Sequence, residues 1–169
     1  MIYRPKSNKK GAITAVILMI ISVDAAAVAP VVSGASGAIN IAAIFLLVAA
    51  LFVTTRFAMS AYEYRITEDD VVVTRTIGAK TTTVAALSLQ TGEGIVKRPR
   101  KKDEKKAFAD RFGKTEGRLN YCRNLFADQY VYVTEFNGKR YEILLEASEE
   151  FASALEEAVE NAHARYDEE

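Results

Sequence analysis

Tryptophan is absent from this chain of 169 residues, and cysteine and histidine occur once each, as Cys122 and His163. A single thiol cannot close an intrachain disulfide, so a disulfide-stapled secreted scaffold is excluded and a reducing compartment is the simpler setting. Cys122 reads as a small buried hydrophobe, and His163, on an acidic stretch, as a solvated side chain. The two stand 41 positions apart in different elements, a poor start for a metal site. The serines lack a Gly-x-Ser-x-Gly elbow. Gly78-Ala79-Lys80-Thr81 has neither the Gly-Lys adjacency nor the upstream glycine of a phosphate loop and reads as a hairpin turn. The carboxylates around Glu149, Glu156 and Glu160 decorate a helix surface without forming an acid–base couple. The expectation is a protein with no catalytic residues, no cofactor and no metal.

Charge is scarce in the first third. Residues 1–60 hold Arg4, Lys6, Lys9, Lys10 and Arg56 against one acid, Asp24, whereas residues 61–169 hold 17 basic and 21 acidic side chains. Residues 12–32 carry one charge and residues 38–55 none. A helix needs about 20 mostly apolar residues to cross a hydrocarbon core, so the sequence predicts two membrane helices, 12–32 and 38–59. Ser33-Gly34-Ala35-Ser36-Gly37 joins them as a short turn and forces them antiparallel. Ala25, Ala29, Ala38, Ala42 and Ala49 suggest close helix packing. Both outer flanks are basic and the turn is not, which predicts a multi-pass protein of the inner or plasma membrane with both termini cytoplasmic. A cleaved signal peptide, with Ala25-Ala26-Ala27 as its small-residue site, is the competing reading.

Asp24 lies roughly 18 Å along the first helix from Ala12, beyond the bilayer centre, where a carboxylate costs on the order of 2–3 kcal/mol or more. It is a candidate intramembrane polar site, with Asn40 the nearest strong polar group in the second span. Protonation or water penetration from the outer side is the bland account.

From Tyr62 onward the pattern alternates. Strands are expected at 62–67, 71–77, 80–84 and 87–96, the last bent at Gly92 or Gly94, then around 119–126, and in a hairpin over 128–146. Asn137-Gly138 favours a type I′ turn. It sets Phe136 opposite Lys139, Glu135 opposite Arg140, Thr134 opposite Tyr141 and Tyr132 opposite Ile143. One face then carries Tyr130, Tyr132, Phe136, Tyr141, Ile143 and Leu145 as core, and Glu135 pairs with Arg140 on the other. Ser148 caps a final helix whose apolar stripe is Phe151, Leu155, Ala158, Val159 and Ala162. Residues 97–118 interrupt the strands with ten basic and four acidic residues and read as a long charged loop with a short helix available at 105–112. Its run of Lys97, Arg98, Arg100, Lys101, Lys102, Lys105 and Lys106 is the best candidate for contact with anionic lipid headgroups or a partner. The acidic final helix is a candidate counterpart for it, within the chain or on a neighbour.

A membrane hairpin followed by seven strands and a helix is the element order of pleckstrin-homology-like barrels. In YEYRITEDDVVVTRTIG and YVYVTEFNGKRYEILLEASEEFASALEEAVENA the chain resembles the bacterial PH-like membrane proteins, including the YcxB-like kind. The resemblance implies a membrane α-hairpin plus an α+β soluble domain, 61–169: a PH-like seven-strand antiparallel barrel or roll capped by a C-terminal helix. The basic signature of phosphoinositide-binding PH domains is missing, because the first strand turn is Glu68-Asp69-Asp70 with only Arg65 and Arg75 near it. The function expected is a membrane-anchored, non-enzymatic interaction or scaffold module. Its partners would be the bilayer and a protein or a second copy, with no specific nucleic acid. The alternative is a small transport or proton-linked component built on Asp24.

Overall fold

The computed structural model describes residues 1–6, 10–32, 34–124 and 127–167. Two long apolar helices come first. α1 (Lys10–Val28) runs into a tight 3₁₀ turn at Ala29–Val31, where Pro30 interrupts the α-helical ladder. α2 (Ser36–Val53) continues into a wide π turn, Thr54–Ala58. With these turns the segments are 22 and 23 residues long, and both are apolar enough to cross a membrane. α2 starts two residues before the expected span because Ser36 and Gly37 form its first turn. Lys9 and Ser33, used above for tail and turn, lie outside the described residues.

The helices meet along small side chains: Gly11, Ala15, Ser22 and Ala29 on one side, Ala43 and Ala50 on the other. Ser22 Oγ donates to the carbonyl of Ala43 at 2.8 Å. A Cβ at Gly11 would stand 2.9 Å from Phe57 Cβ, so only glycine allows this approach. This seam corrects the sequence-based choice. Ala29 is buried and Ala25 half-buried, but Ala38, Ala42 and Ala49 are exposed. The contact follows seven-residue steps, 15–22–29 and 43–50, as helices wrapping around each other require, and alanine is too common in both spans to reveal them.

Among the described residues, eight strands form two sheets. β1 (Ile2–Tyr3), β2 (Ser60–Ile66), β3 (Asp70–Ile77) and β4 (Lys80–Ser88) form an antiparallel sheet in that order. β5 (Gly92–Lys97), β6 (Gly117–Asn120), β7 (Tyr130–Phe136) and β8 (Lys139–Leu145) form the second, in the order β5-β7-β8-β6. β1 is too short for any alternation to announce it. It pairs with β2 across the whole hairpin, so both flanks of the hairpin end in one sheet.

The two sheets do not close into a barrel, and the second is not wholly antiparallel: β6 runs parallel to β8. The segment 97–118 explains the second departure. It is not mainly a loop but contains α3 (Lys102–Phe112). Parallel strands need a crossover connection, and α3 is the crossover from β5 to β6. The expected strand at 87–96 is likewise split. The chain turns at Leu89, with Gly92 N–H bonded to Leu89 O at 3.1 Å, and passes from the first sheet to the second. The bend sits at Gly92–Gly94, where the register shifts and Gly94 has φ +139°. Of the strand expected at 119–126, Leu125 and Phe126 lie outside the described residues, and β6 covers Gly117–Asn120.

The hairpin β7–β8 has the expected register in full, and Asn137 and Gly138 both take positive φ, 53° and 71°. Its side chains distribute differently from the expectation. Tyr132, Ile143 and Leu145 join Tyr64, Val71 and Val73 of the first sheet and Phe151, Leu155, Val159 and Ala162 of α4 (Glu149–Asp167) in the main core. Phe136 is exposed, because the hairpin tip projects beyond that core. The opposite face is also buried. Val131, Val133, Leu144 and Cys122 pack with Phe112, and Phe108 leans on them from α3. Arg140 forms its ion pair with Glu93, not with Glu135.

Candidate functional site: a basic cleft beside the hairpin

Arg56 leaves the π turn and donates to Tyr62 Oη at 2.7 Å and to the Asn120 carbonyl at 2.5 Å. Asn120 ends β6 and stands opposite Leu144; the adjacent Leu145 faces Tyr130, and Tyr130 faces Lys97. The ends of all four strands therefore form one edge of the second sheet, the edge that Arg56 ties to the hairpin. The basic run leaves from this edge.

Arg98 N–H donates to Gln129 O at 2.8 Å, and its guanidinium donates to Gln129 Oε1. Arg100 reaches Asp128 at 3.4 Å. Glu104, in the first turn of α3, accepts from the backbone N–H of Arg100 at 2.9 Å and of Lys101 at 3.2 Å. These two bonds, the Arg100 one first, hold its carboxyl below the usual carboxylate range. Glu104 thereby caps α3 and folds 98–101 against it.

A cleft of about 650 Å³ opens between that segment and the helix, floored by Val96, Pro99, Phe108 and Phe112. Arg98, Arg100, Lys101 and Arg111 ring it, with Glu104 and Asp128 between them. A second cleft of about 700 Å³ lies across Arg98–Pro99–Arg100 and is lined also by Lys105, Arg118, Gln129 and Glu142. Glu142 is buried on β8 and satisfied by Arg118 Nε at 2.6 Å and Thr115 Oγ1 at 2.8 Å. Lys97, Lys101, Lys102, Lys105 and Lys106 are exposed and form no ion pair with a described residue. A cationic rim over an apolar floor suits an anion with an apolar portion.

The structure thus gathers Lys97, Arg98, Arg100, Lys101 and Lys105 around the clefts and sets Lys102 and Lys106 on the exposed surface of α3. Phe108, Arg111, Arg118 and Glu142 were missed by the sequence reading. Phe108 and Phe112 at helical spacing, with Asp103 and Glu104 in a first turn, were the available signal. The acidic α4 touches α3 through Arg111 and Glu156 at 3.6 Å.

Asp24 and Asn40 are both exposed on the hairpin, and no side-chain hydrogen bond or ion pair joins either to a described residue. Cys122 is buried, and burial first, then the charge of Glu146, pushes its thiol up to about 12. It is a packing residue. His163 is exposed with Nε2 3.1 Å from Gln90 O. Among the described residues no three His, Cys, Asp or Glu side chains cluster as a metal site.

Fold and site together define a long-helix hairpin joined to a two-sheet α+β domain with a basic cleft beside α3. No protein-family model, curated protein or solved structure matches this chain.

Proposed function

We propose that this protein is a membrane-anchored, non-enzymatic interaction module. The hairpin spans the inner or plasma membrane with both termini cytoplasmic, and the domain, PH-like in its order of seven strands and a helix, presents the basic cleft to anionic headgroups of the same leaflet. The carrying observation is position: the run of Lys97, Arg98, Arg100, Lys101, Lys102, Lys105 and Lys106 leaves from the sheet edge that Arg56 ties to the hairpin. The orientation rests on Arg4, Lys6, Lys10 and Arg56 at the flanks against an uncharged turn. The domain itself is net acidic, 17 basic against 21 acidic residues. Attraction therefore comes from the local patch, at about 1 kcal/mol per near-surface cation, over a screening length of about 10 Å at 0.1 M salt. Tethering keeps the patch near the surface, so weak contacts suffice.

Hydrogen–deuterium exchange of the full chain in nanodiscs tests this. Residues 97–112 should exchange several-fold more slowly in anionic than in zwitterionic lipid. The difference should vanish at high salt and on changing Lys101, Lys102, Lys105 and Lys106 to Gln. Equal exchange in both lipids removes the lipid role, and in-membrane crosslinking from Lys101 then asks whether a protein, or a second copy, occupies the cleft.

A further inference from the structure

Two of the domain's hairpins turn on two residues and end in tips of similar make-up: Ile77-Gly78-Ala79-Lys80 between β3 and β4, and Phe136-Asn137-Gly138-Lys139 between β7 and β8. Each leaves an apolar side chain exposed beside a lysine, Ile77 at 38% and Phe136 at 64%. Strand register separates them. Ser60 opens β2 and stands opposite Ile77, which stands opposite Lys80. Neighbouring strands lie about 4.8 Å apart. The 77–80 tip is therefore within about 10 Å of Ser60 whichever way the sheet tilts.

Ser60 follows the second long helix almost directly, since that segment ends at Ala58. The 23 residues of the segment make about 34 Å at 1.5 Å each, against a hydrocarbon core of about 30 Å. Its end therefore falls at headgroup level, where Arg56, with Phe57 and Tyr62 beneath its guanidinium, belongs. Ser60 Oγ also braces the junction. It donates to Thr55 O at 2.7 Å and accepts from Arg75 Nε at 3.1 Å and Nη2 at 2.9 Å, which locks β3 to the π turn. The tip is thus held beside the end of the span. Met59, 53% exposed, lies alongside. The Phe136 tip is at the far end of β7, six residues or about 20 Å beyond Tyr130.

We infer that the β3–β4 tip is a second membrane contact. Ile77 and Ala79 enter the headgroup layer of the leaflet in which α2 ends, Lys80 meets the phosphates, and the first sheet stands on the bilayer instead of hanging from the span. This rests on the membrane-spanning reading of the hairpin. It adds a surface distinct from the basic cleft, and with that cleft it fixes the tilt of the domain.

The lack of native tryptophan makes one introduced tryptophan an unambiguous reporter. Phe45→Trp, Ile77→Trp and Phe136→Trp are prepared in the full chain and reconstituted in vesicles whose lipids carry bromine either near the headgroup or deep in the chain. Phe45, 72% exposed in mid-α2, should be quenched by deep bromine. Ile77→Trp should be quenched by shallow bromine several-fold more than Phe136→Trp, with blue-shifted emission. Tryptophan's own preference for interfaces acts equally on both tips. Quenching at 45 with equal, weak quenching at 77 and 136 overturns the tip contact and leaves the anchor standing. No quenching at 45 overturns the spanning reading and the tip contact with it. Should Ile77→Trp fail to fold, Ala79→Trp takes its place with the same outcomes.

Discussion

The hairpin and the domain bury opposite kinds of side chain. Between α1 and α2 the buried groups are Gly11, Ala15, Ser22, Ala43 and Ala50, while Ile17, Ile20, Phe45, Val48 and Phe52 face outward. In the domain Tyr64, Tyr132, Phe151 and Leu155 are inside, and lysines and glutamates cover the outside. In water, large apolar groups gain by hiding. In lipid they gain nothing, and helices associate where small residues let backbones approach and a hydroxyl finds a carbonyl. The Ser22–Ala43 bond is of that kind. The difference fits a hairpin built for lipid and a domain built for water, and it supports the proposal that places the hairpin in a bilayer.

The sharpest way to break this contrast is a matched pair of phenylalanines. Phe151 is fully buried and packs tilted against the Tyr3 and Tyr64 rings at 5.5 and 6.0 Å between centroids. Phe151→Ala should cost about 3–5 kcal/mol, read as a large fall in the denaturation midpoint of the protein in micelles. Phe45→Ala should cost under about 0.5 kcal/mol, as exposed substitutions do. Similar losses at both sites would mean that the outer face of α2 is a protein core.

The seam is sharpened by a pair of alanines one residue apart. Ala50 is fully buried against α1 and Ala49 is exposed. Ala50→Leu should overpack the contact and cost about 1–3 kcal/mol, lowering the melting temperature in micelles, whereas Ala49→Leu should leave it unchanged. The reverse order would restore the alanine choice made from composition.

The smallest effect tests the tie between the chain start and the domain. Glu63 on β2 accepts from Arg4 at 2.6 Å and Arg65 at 3.0 Å, and these bonds, Arg4 first, lower its pKa. A carboxyl whose folded pKa is lowered contributes stability that is present above its unfolded value, about 4.3. That contribution is lost as pH falls through the lower folded value. Arg4 is largely exposed, so the contribution is at most about 1 kcal/mol. The wild-type protein should therefore lose slightly more stability than Glu63→Gln on acidification from neutral pH to below that range. Parallel curves would show that the Arg4 contact adds nothing.

How much could be read in advance differs by element. Asn137-Gly138 allows one turn geometry, so the β7–β8 register was legible residue by residue. The cap at Ser148, with Phe151 N bonded to its hydroxyl at 3.2 Å, and the stripe Phe151–Leu155–Val159–Ala162 were equally plain. α3 was obscured because its charges outnumber its apolar residues, and two phenylalanines at 108 and 112 are a faint stripe. The cations from 97 to 106 stand out in the sequence, but Arg111, Arg118 and the cleft floor do not, since Val96, Phe108 and Phe112 meet only after the crossover.

The sequence by itself determined two apolar helices, their antiparallel connection, the strand-rich domain and the clustering of cations between 97 and 106. These follow from composition and short-range periodicity, which act within a few residues. Only the tertiary structure decided that two sheets stand apart instead of closing, that β1 returns to pair with β2, and that β6 lies parallel to β8. It also decided that the basic run leaves from the sheet end that Arg56 reaches and that Ile77 pairs with Ser60. Those outcomes depend on which distant strands pair and where a crossover helix lands. Their energies come from cores such as Val131–Leu144–Phe112, assembled from residues that no local pattern connects.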